Sequence, residues 1–451
     1  MMKLTRQQSV YDTYNDYMRE RERFFQQHKD EVYKTITFNE EENQADILWQ
    51  KMIQADRFNR NHKFYHTYTL RHREEYEQGD IFKVLKAMPK GATHHIHVDC
   101  CVGFDWFYDE MAFSGNCYVN RELGMFHYFK NDSDVKEGYV NMIQVREVLG
   151  DEGCRKFTKN LMSVTQEEAE NFDHDIWDSF EKKILSMSGF LYNTTIYPKY
   201  LRHVIKSFID DGVYRIEANS FIGWIVDENL KPIDSETEIQ IYKDAIKEMQ
   251  EYCPSFSYGL IVQGLKVWDE QQILEYYENA YQLRAKYPEL VIAFDMVQEE
   301  DAYKLKFFIF STSLIEDFKK RKICLENCPV SNQVLRYVND IRIHPLRSFI
   351  NSNVAVTISP DDPGIFGCVG VTQDFYIGTI GSRLTLRDLK LLINNSIEYA
   401  LGTEEDLKNL KEQTYKKWDE FIKWFTKTYD YPDHHTKLDT TIGNHPPKRF
   451  F

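Results

Sequence analysis

Along the C-terminal two thirds of the chain, short apolar or alternating runs are separated by longer stretches whose hydrophobic residues recur at helical spacing. The runs predicted as strands are Gly212–Ala218, Ser257–Gln263, Leu290–Val297, Lys322–Asn327 and Val354–Ser359. Helical patterns such as Glu236–Met249 and Gln271–Lys286 lie between several of them. Repetition of strand, helix, strand predicts a parallel sheet. A further strand is expected around His95 and His97, within Met88-Pro-Lys-Gly-Ala-Thr-His-His-Ile-His-Val-Asp99, which brings the count to six. The fold class is therefore α/β, a (β/α) barrel of the TIM type, and a closed barrel of that kind has eight strand-helix units. The interval from Glu299 to Arg321 has room for little more than a helix, so two units are missing from the pattern.

The flanking segments follow different patterns. Residues 1–85 are polar with hydrophobic positions at helical spacing, as in Asp16-Tyr-Met-Arg-Glu-Arg-Glu-Arg-Phe-Phe25, and predict a helical arm. The barrel is expected over 86–430. Within it, 105–165 carries aromatic clusters and loop signals without strand-helix alternation, and is expected to be an inserted subdomain after the first barrel strand. Residues 431–451, with Pro446 and Pro447 adjacent, are expected to form an irregular tail.

Composition narrows the class of partner. The 451 residues hold 56 Lys and Arg against 71 Asp and Glu, a formal charge of −15, which disfavours nucleic acid and anionic membrane surfaces. Aromatic residues make up 15% of the chain, ample surface for a buried core. The N-terminal residues run directly into charge without an apolar core, and no apolar run reaches the roughly 18 residues of a spanning helix. We expect a soluble, cytoplasmic protein with reduced thiols. Its eight cysteines are scattered, and a Cys117–Cys154 pair or glycosylation at Asn131, Asn193 and Asn394 would matter only after export.

The candidate chemistry lies at two distant places. Side chains at i and i+2 of a strand share a face, so His95 and His97 can meet one ion while His94 points elsewhere. Downstream, Ile358-Ser-Pro-Asp-Asp-Pro363 adds Asp361 and Asp362 after the last strand. Polar groups at the C-terminal ends of barrel strands converge on one mouth. Imidazole with carboxylate suits a divalent ion, commonly zinc, which lowers the pKa of a bound water to about 7.

These residues belong to a longer pattern: Met88-Pro-Lys-Gly91, His95-x-His97, Trp177 with Phe180, Arg215-x-Glu217, Phe294-Asp-Met-Val297, Glu326-Asn-Cys-Pro-Val-Ser-Asn-Gln-Val-Leu335, His344-Pro345 and Ser359-Pro-Asp-Asp-Pro363. In this order they resemble the adenosine deaminase family, and within it the adenosine deaminase-related growth factor branch. The resemblance implies a zinc-bearing barrel that converts adenosine and water to inosine and ammonia. It implies His95, His97 and Asp361 as zinc ligands, with Asp361 also orienting the water. Asp362 becomes a purine-binding carboxylate, Asp99 lies near the ribose, and Trp177 belongs to the substrate site. The family also suggests a homodimer formed through the N-terminal helices, and growth-factor-like signalling, which would require export.

The same resemblance exposes what is missing. From His203 to His344 there is no histidine, so the strands that supply a third zinc histidine, the histidine beside the attacking water and the glutamate that protonates the purine have no counterpart. The gap amounts to about 50 residues, two strand-helix units, between Phe308 and Ser313. Gln298 stands where the family has glycine, and Cys100 where a small residue is common. Glu299, Glu300 and Glu326 are expected to be solvated or structural carboxylates, and His344 to be structural. The chain as written is expected to hold zinc weakly and to have impaired or absent catalysis. It is then either a deaminase whose middle segment is absent from this sequence, or a pseudoenzyme that binds nucleoside or acts as a scaffold. A third possibility, another metal-dependent hydrolase using His95, His97 and Asp361, lacks a base.

Overall fold

The computed structural model describes residues 32–59, 69–299 and 312–429, with Arg19. The expected tail and Glu300 lie outside the described residues. Nine strands occur among those described: β1 (Gly91–Thr93), β2 (Cys117–Asn120), β3 (Met125–Tyr128), β4 (Tyr139–Asn141), β5 (Val213–Ser220), β6 (Ser257–Leu265), β7 (Val291–Val297), β8 (Leu325–Asn327) and β9 (Val356–Ile358). Strands β1, β5, β6 and β7 form a parallel sheet in that order, and β8 pairs with β9 in parallel. The two sheets meet just past β1 and β9. There the Asp361 amide donates to the His95 carbonyl at 3.2 Å, and the His97 amide donates to the Asp361 carbonyl at 3.1 Å. The spatial order is thus β8-β9-β1-β5-β6-β7.

All six predicted parallel strands are present, with two adjustments. The Lys322–Asn327 run shortens to β8, and β1 stops at Thr93, short of both histidines. Ile96 and His97 make only single bridges to the strands beside them, because the chain tightens at once into a 3₁₀ turn at Val98–Cys100. The predicted helices extend over Ser235–Tyr252 and Glu270–Lys286. Asp234 caps the first through the Thr237 amide, and Asp269 with Gln272 forms a capping box on the second.

Burial differs along this array. All eight residues of β5 are buried, as expected for a central parallel strand, whereas in β7 only Val291 and Ile292 are. Among the described residues no strand pairs with the outer edge of β7 or of β8.

Part of the N-terminal arm docks on its own chain. Helix Glu40–Asn59 buries Ala45 and Trp49 completely, and Trp49 donates its indole N–H to the Leu384 carbonyl at 2.9 Å and meets Phe425 edge-on. Glu42 accepts from the Trp418 indole at 2.7 Å and pairs with Lys390, tying this helix to the C-terminal helix Glu404–Tyr429. The apolar face of this helix is therefore used within the chain. Helix Asp80–Ala87 runs across the expected arm boundary at 85 and buries Ile81, Phe82, Val84 and Leu85.

The 105–165 segment folds as an antiparallel sheet, ordered β3-β2-β4, followed by helix Met142–Met162 kinked at Gly150. Its β3 lies on helix Ile176–Leu191, where Gly189 allows the contact: a Cβ there would sit 2.8 Å from the His127 ring and 2.9 Å from the Phe126 carbonyl. Cys117 and Cys154 are both buried free thiols.

Beneath the sheet, Asp211 is fully buried and accepts from the Val371 and Thr372 amides, the Thr372 hydroxyl and Lys86 Nζ. The buried Lys90 ammonium lies 3.7 Å from Asp211 and donates to the Met88 carbonyl. Burial opposes charge on Asp211, but Lys90 and Lys86 outweigh it and hold its carboxyl below the ordinary range, while burial pushes Lys90 down to about 8. Asp211 therefore contributes stability that is complete above its unfolded pKa of about 4 and is lost as pH falls through its depressed native value. Asp211→Asn, which leaves Lys90 without a counter-charge, should lower unfolding free energy by about 3–5 kcal/mol in urea titration with an unchanged m-value. A loss below about 1 kcal/mol would show that Lys90 finds other compensation.

Candidate metal centre

The meeting of the two sheets sets the side chains. Ser359 Oγ accepts from the His94 and His95 amides at 3.2 Å each, pinning the β1 extension against the end of β9. His94 turns away, is buried, and donates its ring N–H to the Ser396 carbonyl at 2.8 Å. His95 and His97 turn together, their rings 5.1 Å apart and nearly perpendicular. Asp361 sits in the left-handed region at φ 60°, uncommon for a residue with a Cβ, which aims its carboxylate back at both rings. The following turn is tight: a Cβ on Gly364 would lie 2.5 Å from the Val102 carbonyl oxygen.

His95 Nε2 lies 3.2 Å and His97 Nε2 3.4 Å from the same oxygen, Asp361 Oδ1. The three donor atoms fall within 4.8 Å of one another, the single group of this kind among the described residues. The far side of each ring is engaged as well. His95 Nδ1 lies 2.9 Å from Glu326 Oε2, and His97 Nδ1 lies 2.8 Å from Gln263 Oε1. A proton on Nδ1 satisfies each acceptor and leaves the Nε2 lone pair directed inward, the arrangement by which proteins orient metal-binding imidazoles. Two neutral imidazoles and a carboxylate oxygen fit a borderline divalent ion such as zinc.

The neighbouring carboxyls divide their roles. Without an ion, His95 and His97 are raised above the ordinary range and carry a proton on Nε2 as well; burial opposes the charge of Asp361, but its bonds to these two rings hold its carboxyl well below the ordinary range. Burial, reinforced by Asp361, pushes Asp362 upward, so one of the adjacent pair is the anion and the other retains its proton. Asp362 is thereby able to donate a hydrogen bond.

These groups open into a cavity of about 710 Å³ at the C-terminal ends of the strands. Trp177, Asp99 and Asp362 line it as well as the three metal-site residues, so every site residue singled out in the sequence borders one space. Trp177 meets Phe180 edge-on, and Phe180 in turn stacks on Phe366. Gln298 also lines the cavity and is strained at φ 144°, a value suited to glycine. Cys100 is buried in the wall. His344 lies apart from the metal site, accepts from the Leu346 amide at 3.2 Å and pairs with Asn332, and burial lowers it to about 4.

Two contributors escaped the sequence reading. Glu326, expected to be solvated or structural, orients His95. Gln263 was passed over as the end of a strand, although a carboxamide closing the apolar run Ser257-Tyr-Gly-Leu-Ile-Val-Gln263 is a detectable departure. Arg215 and Glu217, part of the family pattern, form a buried pair at 2.9 Å, with Glu217 accepting from the Leu401 amide at 2.5 Å.

Residues 296–417 match the family model described as adenosine deaminase. The chain is 26% identical over 414 residues to adenosine deaminase 2 of Homo sapiens, covering 77% of this chain and 81% of the relative. With adenosine deaminase 2 of Dictyostelium discoideum it shares 25% over 460 residues, covering 87% and 84%. Both findings are of similarity to the adenosine deaminase family. Arabidopsis ADAL, solved with GMP, superposes with a TM-score of 0.50 at 12% identity, covering 75% of this chain and 99% of that one. An amidohydrolase from Burkhoderia ambifaria, solved with bound Zn, gives 0.50 at 11%, covering 77% and 94%. Those two likenesses are of fold alone, an α/β fold with a parallel sheet.

If Gln263 fixes the His97 tautomer, Gln263→Ala should weaken zinc about 10–100-fold with all three ligands intact, and Gln263→Glu, which keeps an acceptor, should weaken it less. Competition against a chromogenic zinc chelator measures both. Equal affinities across the three proteins would remove Gln263 from the site.

Proposed function

We propose that this chain binds a divalent ion, zinc, and a purine nucleoside, adenosine, at the barrel mouth, and that as it stands its deaminase catalysis is impaired or absent. The observation that carries this reading is the convergence of His95, His97 and Asp361 on one point of a 710 Å³ cavity, in a sequence with no histidine between His203 and His344. An ion held there supplies acidified water at neutral pH. Asp361 orients that water, Asp362 offers its proton to a ring nitrogen, Trp177 shapes the base slot and Asp99 meets the ribose. The donor set is one histidine short of the family's, which weakens the metal. Loss of a general base or acid alone lowers rate by about two to four orders of magnitude, and here both are absent.

Two observations favour a fuller native barrel over a pseudoenzyme. Among the described residues no strand pairs with the half-exposed outer edge of β7, and the helix before it, Glu270–Lys286, leaves Leu274, Tyr277 and Tyr281 exposed. The alignment with the Homo sapiens protein spans 414 positions but uses 77% of 451 residues, about 347, so about 67 positions of gap fall on this chain's side. A folded, stable chain that binds adenosine without turnover would instead favour a nucleoside-binding or scaffold protein. Residence in the cytoplasm with reduced thiols belongs to the same reading. Among the described residues no helix is long and apolar enough to cross a membrane. A homodimer through the N-terminal helices belongs to the same reading; residues 1–31, apart from Arg19, lie outside the described residues.

In a coupled ammonia assay Asp361→Ala should leave activity unchanged, since almost none is present to lose. A measurable rate that Asp361→Ala abolishes would overturn the inactive reading. Sequencing the native transcript from the Glu300 to the Leu325 codons, with peptide mass on the purified protein, separates the two origins. An added segment with a histidine-glutamate strand and a second histidine strand restores the deaminase, and an uninterrupted match makes the lost base real.

A further inference from the structure

Two stretches of the cavity rim, distant in sequence, are tied to each other by Arg336. Its neighbours Leu335 and Tyr337 line the cavity, while Arg336 itself, held in the left-handed region at φ 65°, reaches residues 168–174. Its guanidinium donates to four backbone carbonyls: from Nε to Ala169 at 3.2 Å, from Nη1 to His174 at 2.7 Å, and from Nη2 to Glu168 and Asn171 at 2.7 Å each. Glu168 and Ala169 belong to the short helix Gln166–Glu170, whose last carbonyls have no partner within the helix. None of the four bonds meets a carboxylate, because the Glu168 side chain is taken by Lys183 at 3.0 Å and by the Thr165 amide at 2.8 Å. The planar fork of arginine suits such a cage of carbonyls, and the point charge of lysine suits it less well.

What these bonds hold is the approach to Trp177. Residues 163–175 lead from the inserted subdomain to the helix Ile176–Leu191. They are fixed at their start by the Val164 amide, which donates to the Ile365 carbonyl at 2.8 Å, and by the Ser163 hydroxyl, which donates to the Gly364 carbonyl at 3.0 Å. At their end, the His174 carbonyl bound by Arg336 directly precedes Asp175, which caps the helix through the Trp177 amide at 3.0 Å. The His174 ring also meets that helix, with Nε2 at 2.9 Å from Ser179 Oγ. Trp177, Phe180 and Glu181 of the helix line the same cavity as Leu335 and Tyr337. Charge-assisted bonds thus join segments 162 to 168 positions apart across the rim. His95 and His97 are held by Ser359, Glu326 and Gln263, so the rim and the candidate metal donors can be perturbed separately.

We propose that Arg336 is a positioning residue of this cavity: by clasping residues 168–174 to the loop after helix Pro329–Val334 it sets the Trp177 wall and governs how long a ligand stays. The ligand arm of the test rests on the nucleoside reading above. The zinc-loaded full chain is compared with Arg336→Ala and Arg336→Lys by hydrogen exchange of the 166–181 amides, by zinc competition against a chromogenic chelator, and by stopped-flow release of adenosine. In Arg336→Ala, exchange over 166–181 should quicken about tenfold with β5 and β6 unchanged, adenosine should leave about tenfold faster, and zinc affinity should stay within about twofold. Guanidinium chloride at about 20 mM, filling the emptied cage, should restore about half of both changes, and sodium chloride at the same concentration should not. Arg336→Lys should fall between the other two proteins. Unchanged exchange over 166–181, exchange that quickens equally in β5 and β6, zinc affinity that falls in parallel, or adenosine release at the unmodified rate overturns the proposal. Restoration by sodium chloride as complete as by guanidinium overturns it too. If adenosine does not bind the unmodified protein, the nucleoside reading falls, and exchange with its guanidinium rescue decides the clasp alone. Should Arg336→Ala fail to fold, Arg336→Lys decides, with changes of about threefold expected.

Discussion

The structure turns on a short stretch of backbone pairing. Two hydrogen bonds, from the Asp361 amide to His95 and from the His97 amide to Asp361, join the β8-β9 pair to the other four parallel strands. With the Gly364 amide, which donates to the Cys100 carbonyl at 2.8 Å, they set a common register for the two halves and bring residues more than 260 positions apart to one cavity. The same pairing gathers the candidate donors, because the residues whose backbones meet are those whose side chains could hold a metal ion. Fold and site are here a single interaction, and Ser359, bonded to the amides of both His94 and His95, reinforces it from the side.

Around that junction, each strand end contributes a polar group to the mouth: Glu326 from β8, Asp361 after β9, the two histidines after β1, Asn219 from β5, Gln263 from β6 and Asp295 from β7. Asn219 Nδ2 donates to Asp295 Oδ2 at 2.9 Å, so hydrogen bonding continues beyond the metal donors to the far strand. Such a layer is unfavourable to bury unless its members satisfy one another, and most of them do. Among the described residues at this mouth, Asn219 Oδ1 and Gln298 Oε1 have no hydrogen-bond partner.

Much of this was legible in the linear pattern. Period-two runs located all six parallel strands, and the spacing of His95 and His97 placed two imidazoles on one side because alternation is a property of extended backbone. The resemblance then brought Asp361 to them across the length of the chain. What could not be read was every relation set by three-dimensional register. That β1 ends at Thr93 depends on the turn at Val98–Cys100 and not on the propensity of His95 or His97. That Glu326 and Gln263 face the outer nitrogens of the histidine rings depends on which strands are neighbours. The Glu40–Asn59 helix showed an amphipathic pattern, but amphipathicity does not say whether the apolar face meets a second copy or, as with Trp49 and Phe425, the same chain.

The uneven burial of β5 and β7 has a mechanical meaning. A parallel array closed on itself is a hoop, stiff because bending any strand strains its neighbours on both sides. An array whose β7 and β8 edges have no further strand among the described residues is braced from both sides along its middle and from one side at its margins. The candidate donors His95, His97 and Asp361 sit after β9 and β1, inboard of the β8 margin, whereas Asp295 and Gln298 ride on the β7 margin. Support is therefore shared unequally across the mouth: among the described residues, the side that carries the candidate donors is held by strands on both flanks, and the opposing wall by a strand on one.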